Sequence, residues 1–188
     1  MPSVNFRMKL LSLFAALLFA RAVHADCTPS PESWITLEVV AAEVAGTEPV
    51  EVIDIDRAGC AIVRYASFDT RAGLYRRQLS EAELAALTAE LKRREILSFD
   101  ATAVQRALET RKRSTGTGGE YFVVPGGDTY RLSIEDAAGA VRIEWVAPKQ
   151  EAQRYRDMKA LTDLVGLIET LQTLAANDSK TRIAKVTP

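Results

Sequence analysis

The sequence predicts an α+β domain: an antiparallel sheet of hairpins with two main helices on one face. Three observations predict it. Tyr130, Leu132 and Ile134, then Val141, Ile143 and Trp145, alternate with polar residues on either side of a turn-forming Asp136-Ala137-Ala138-Gly139, the pattern of a hairpin with one buried face. Residues 80–94 and 150–176 carry apolar side chains at helical spacing. The extended segments come in groups set apart by these helices, so the order is strands, helix, strands, helix.

Taken from the start, the chain opens on Arg7 and Lys9, then an apolar run from Leu10 to Ala20. That run is about half the length needed to cross a bilayer core. Val23-His24-Ala25 supplies compact residues for cleavage before Asp26, so residues 1–25 read as a secretory signal peptide. The expected product is a soluble periplasmic or secreted protein with no membrane span after cleavage. Cys27 lacks the small-residue box that a lipoprotein needs before its cysteine. The signal carries Arg7, Lys9 and Arg21 and no acid. The 24 basic and 25 acidic groups of the whole chain therefore become 21 and 25, a net charge of −4. An acidic domain lacks the concentrated positive footprint of a nucleic-acid binder. The one histidine, His24, leaves with the signal. A chain without imidazole cannot run a Ser-His-Asp or Cys-His mechanism, and it cannot build a His-containing zinc site.

Both cysteines remain, and two cysteines in an exported domain read as one disulfide, Cys27–Cys60. The alternative of a redox pair is expected to show C-x-x-C spacing, which this chain lacks. About 163 mature residues make a single domain over 26–176 the default, with a flexible tail over 177–188. Residues 26–33 form a Pro-rich entry segment, and residues 34–44 follow as a strand. Residues 50–55 and 60–67 read as a hairpin about the turn Asp56-Arg57-Ala58-Gly59, and residues 73–79 as a further extended piece.

Ser80-Glu81-Ala82-Glu83 fits a capping box, ahead of Leu84, Leu87 and Leu91 on one helix face. Residues 99–113 fit a short helix or a loop. A strand is expected over 121–124, between the Gly-rich stretch 114–119 and Pro125. The last helix, over 150–176, places Tyr155, Met158, Leu161, Leu164, Val165, Ile168 and Leu171 on its apolar stripe, with Gly166 as a weak point.

Gly59, Tyr65, Gly73-Leu74-Tyr75, Leu79-Ser80, Leu84, Leu87, Leu91 and Phe99 form a pattern over residues 50–172. It resembles a bacterial family of exported domains of unknown function. The resemblance implies the α+β fold and carries over no catalytic residue.

Candidate chemistry is sparse. Asp54 and Asp56, two apart on one strand, can do acid–base work or hold a hard cation, or can simply be a solvated strand end. Arg111, Lys112, Arg113, Ser114, Thr115, Gly116, Thr117, Gly118 and Gly119 form a basic, Gly-rich segment. It lacks the Lys-Ser/Thr and following helix of a nucleotide loop, and reads instead as a candidate partner-contact loop. Tyr75, Tyr121 and Tyr155 suit core packing better than an interaction patch. Arg76-Arg77 and Lys92-Arg93-Arg94 suit solvated faces. No catalytic residue, metal ligand or cofactor site is expected. The leading expectation is a non-enzymatic envelope binding protein whose partner is another protein, in its most specific form an inhibitor or immunity-type protein. An envelope hydrolase using only carboxylates, drawn from Asp54, Asp56, Glu120, Glu135 and Glu144, is the second reading. A passive assembly factor is the third.

Overall fold

A computed structural model describes residues 27–43, 48–114, 126–137, 139–176 and 180–184. The signal with His24, the strand expected over 121–124, Glu120 and Thr115 to Gly119 lie outside these residues. Among the described residues seven strands form one antiparallel sheet: β1 (Ile35–Val40), β2 (Glu51–Ile55), β3 (Cys60–Tyr65), β4 (Gly73–Gln78), β5 (Thr129–Asp136), β6 (Gly139–Val146) and β7 (Thr181–Ala184). Their order across the sheet is β6-β5-β1-β2-β3-β4-β7. Four α-helices among the described residues accompany it: α1 (Glu81–Arg93), α2 (Ala101–Ser114), α3 (Pro148–Arg154) and α4 (Lys159–Ala176). The α+β class read from the sequence is therefore the observed one.

The two hairpins form for local reasons. Between β2 and β3, Gly59 N donates to Asp56 O and Asp56 N to Cys60 O. Gly59 closes the turn at φ +81°, a left-handed conformation that costs glycine nothing and other residues much. In the β5–β6 hairpin Tyr130, Leu132 and Ile134 are buried beside Ile143 and Trp145, as the alternation requires. Ile35, Leu37, Val39, Ile53, Ile55, Val63 and Tyr65 add to this face. Leu87 and Leu91 of α1, Leu108 of α2 and Leu161, Leu164, Leu167, Ile168 and Leu171 of α4 complete the core over it. Thr36, Glu38, Asp54, Arg64, Arg131, Ser133, Arg142 and Glu144 occupy the alternate positions, on the opposite face.

Ser80 caps α1 as predicted. Its side chain accepts from Glu83 N while Glu83 accepts from Ser80 N at 2.9 Å. Residues 101–114 are helical, started by Asp100, whose carboxylate accepts from Ala103 N at 2.9 Å.

Three expectations are corrected. The single helix expected over 150–176 is two helices, α3 and α4, with Met158 N donating to Tyr155 O at 2.9 Å in the connection. Ala152, Tyr155, Met158, Leu161 and Leu164 all enter the core. A spacing of three lags a straight helix by about 60° per step, so one unbroken helix would carry its ends away from the sheet. The tail is not wholly flexible. Thr181–Ala184 is the edge strand β7, paired with β4. Arg77 is not a solvated cation. It is 7 % exposed, pairs with Glu83 and donates to Leu174 O at 2.8 Å, in the last turn of α4, where a cation complements the helix dipole.

Gly166 has a reason to be glycine. A Cβ there would lie 2.0 Å from Arg94 Nη1. That guanidinium lies against α4, holding Glu90 of its own helix at 2.7 Å and standing 3.7 Å from Asp163 of α4.

Candidate functional site

Asp54 and Asp56 leave the end of β2 for different surroundings. Asp54, half-buried on the polar face, accepts from Thr36 Oγ1 at 2.7 Å and Ser33 Oγ at 3.3 Å. Asp56 is 4 % exposed and accepts from Cys60 N at 2.8 Å and Ser30 N at 2.9 Å. The disulfide joins Cys27 to Cys60, with Cα atoms 5.5 Å apart. Bridge and Asp56 together fasten the Pro-rich entry segment to the β2–β3 turn. Trp34 N then donates to Ile55 O, and Glu135 N to Trp34 O, at 2.8 Å each.

This anchoring shapes a groove of about 750 Å³ lined by Ser30, Glu32, Ser33, Trp34, Thr36, Arg57, Ala58, Ser133, Glu135 and Asp136. Thr36 and Ser133 sit side by side on neighbouring strands. Arg57 lies across one end. It donates to Glu135 O, comes within 3.8 Å of Asp136 and stands 5.8 Å from the Trp34 ring centroid. The groove offers hydroxyls, one aromatic face, three carboxylates and one guanidinium. It is built to hydrogen-bond and to attract cationic groups. Among the described residues no histidine or lysine lines it to serve as a base beside its hydroxyls.

Of the other carboxylates named from sequence, Glu135 and Glu144 are in ion pairs on the polar face, and Glu120 lies outside the described residues. Arg131 bridges Glu144 at 2.9 Å and Glu38 at 3.7 Å, and Arg142 is 3.8 Å from Glu135. Among the described residues no three His, Cys, Asp or Glu side chains are grouped to hold a metal ion. No helix among them is long and apolar enough to cross a membrane.

The basic, Gly-rich segment changes character. Arg111, Lys112, Arg113 and Ser114 belong to α2 rather than to a loop. Arg111 pairs with Asp157, and Lys112 with Glu151 at 3.0 Å. Glu151 also accepts from Trp145 Nε1 at 2.7 Å, so Lys112 belongs to a cluster that holds α2 against α3 and the sheet. Arg113 is exposed.

A second constellation lies at the other end of β2. Glu51, 6 % exposed, accepts from Gln172 Nε2 at 2.7 Å and has Arg71 at 3.9 Å. The fully buried Tyr65 hydroxyl rests beside Glu51 without a well-formed hydrogen bond. Burial first, and the Glu51 charge second, push the Tyr65 phenol up to about 12. Arg71 stacks 4.0 Å from the Tyr65 ring centroid, and Lys180 sits 5.2 Å from Tyr65 and 5.1 Å from Tyr75. Tyr75 meets Tyr65 edge to face at 5.8 Å, and Tyr155 is buried, so both pack as expected; Tyr121 lies outside the described residues. These contacts seat β7 on the sheet.

The sequence reading missed Ser30, Ser33, Trp34 and Arg57 as groove residues. The only available signal was Trp34 at a strand start near a hydroxyl-rich segment. In comparisons with known proteins, the chain matches no family model, no curated protein and no solved structure.

Proposed function

We propose that the protein is a non-enzymatic binding module of the periplasm or extracellular space. In its most specific form it is an inhibitor or immunity-type protein that blocks an enzyme acting in the envelope. The observation that carries this reading is the engagement of the carboxylates. Asp54 and Asp56 are hydrogen-bonded, while Glu135, Asp136, Glu38 and Glu144 stand within 4 Å of arginines. A hydrolase built on two acids needs one of them held protonated in a cleft. These carboxylates are instead tied to the fold by backbone and hydroxyl donors and by guanidiniums. The groove supports recognition, with the exposed Arg57 and neighbouring hydroxyls over the buried Trp34, and an acidic rim complementary to a basic segment of a partner. Export rests on the N-terminal sequence.

The test is capture of partners from envelope extract with the protein and with its Trp34→Ala and Arg57→Glu variants. The expected result is one envelope hydrolase retained by the parent and lost by both variants, with its activity suppressed in the complex. Hydrolysis of envelope polysaccharide by the purified protein alone, abolished by Asp54→Asn, would overturn the reading in favour of the hydrolase.

A further inference from the structure

We propose that two copies of this chain pair through the free edge of β6, antiparallel and about a two-fold axis at Ile143, joining their sheets into one. This goes beyond the binding role and does not depend on it. β6 is eight residues long, contains no proline and runs in unbroken register along β5. Among the described residues no strand pairs with its outer edge. The opposite edge differs: β7 has four residues and meets β4 with a register shift. A long, regular edge is a template for another strand unless something blunts it.

The backbone fixes which residues face out. Asp136 and Gly139 flank the hairpin turn, and beyond the other end of the ladder Ala147 N donates to Asp128 O at 2.9 Å. Odd-numbered residues of β6 therefore turn their amides and carbonyls to β5, and even-numbered ones turn theirs outward. The outward set is Ala140, Arg142, Glu144 and Val146, all with exposed side chains.

Two copies related by a two-fold axis at Ile143 bring Arg142 opposite Glu144 of the second copy, and Glu144 opposite its Arg142. Ala140 then faces Val146, covering an apolar side chain that is 51 % exposed in one molecule. The four outward pairs form about eight inter-strand hydrogen bonds. Neighbouring two-fold registers fail, because moving the axis by one residue sets Arg142 against Arg142 or Glu144 against Glu144. Across the joined sheet the row reads Glu38, Arg131, Glu144, then Arg142 of the second copy, alternating in sign. This is an isologous interface.

Sedimentation velocity of the purified, disulfide-bonded protein tests it. The parent should sediment as a dimer at submillimolar concentration. Arg142→Glu and Glu144→Arg should each weaken self-association at least tenfold. Mixed together, these two variants should form a heterodimer, since every charge pair is then opposite. Hydrogen exchange gives a readout without mutation: the Arg142 and Glu144 amides should slow as concentration rises, and the Ile143 amide should not change. A monomer throughout would overturn the proposal. So would a dimer unaffected by either charge reversal, or edge amides indifferent to concentration. None of these outcomes bears on capture of an envelope enzyme by the groove, so the two readings fail separately.

Discussion

Replacing Asp56 by alanine should cost about 2–3 kcal/mol of stability, while replacing Asp54 should cost about 1 kcal/mol or less. The difference follows from what each carboxylate satisfies. Asp56 is buried and accepts from two backbone amides, those of Cys60 and Ser30. The Cys60 amide is buried with its residue and cannot recruit water when the carboxylate goes, so it bears a desolvation cost of about 1–3 kcal/mol. Ser30 is exposed, and its amide rehydrates, adding only about 0.5–1 kcal/mol. Loss of the desolvation cost of Asp56 itself trims the total. Asp54 accepts from two hydroxyls, which rotate to solvent once it is removed. Asp56→Asn keeps one acceptor and should fall about midway. Urea denaturation under oxidising conditions, followed through the fluorescence of Trp34 and Trp145, measures all three. If Asp56→Ala lies within about 0.5 kcal/mol of the parent, the range of an ordinary surface change, then Asp56 does not hold the turn as argued.

Replacing Cys27 and Cys60 together by serine should cost ~3–4 kcal/mol in the chain-entropy account, read in the same denaturation assay. Ser80→Ala should cost about 1 kcal/mol through loss of the α1 cap. The Ser80 amide, and then Arg77, hold the Glu83 carboxyl below its ordinary 4.5. The stability it contributes is complete above that value and falls as pH drops through the folded pKa, which acid titration of the parent against Glu83→Gln would show. In alkaline titration, two tyrosines, Tyr65 and Tyr130, should ionise near pH 12, both chiefly through burial. The unfolded chain loses these protons near 10, so stability is full below pH 10 and declines between 10 and 12. Ultraviolet absorbance set beside the unfolding free energy checks both halves. If all tyrosines ionise together near 10, the buried cluster around Glu51 is wrong.

The hairpins, the α1 cap and the disulfide were legible because each is written locally or by elimination. Tyr130-Arg131-Leu132-Ser133-Ile134 carries its own alternation, Ser80 and Glu83 sit at capping distance, and two cysteines leave one bridge. The groove was not legible, because Trp34 is placed by backbone bonds to Ile55 and Glu135, one of them a hundred positions away. Arg77 looked solvated, since nothing near it in the chain announces that Leu174 O will be its partner. Residues 181–184 carry no strand signal of their own; the seat for Lys180 and Arg182 is made by Tyr65, Tyr75 and Ala72. The single helix expected over residues 150–176 is two, α3 and α4, because the three-residue spacing from Ala152 to Leu164 drifts around a straight helix.

The central claim is that the Trp34–Arg57 groove binds a protein partner without catalysing a reaction. The most direct measurement is gel filtration with light scattering of the protein captured with its partner from envelope extract. A complex of fixed stoichiometry, displaced by excess untagged protein and absent with Trp34→Ala, is predicted. No retained partner from gentle extraction, or equal retention by parent and Trp34→Ala, would contradict it.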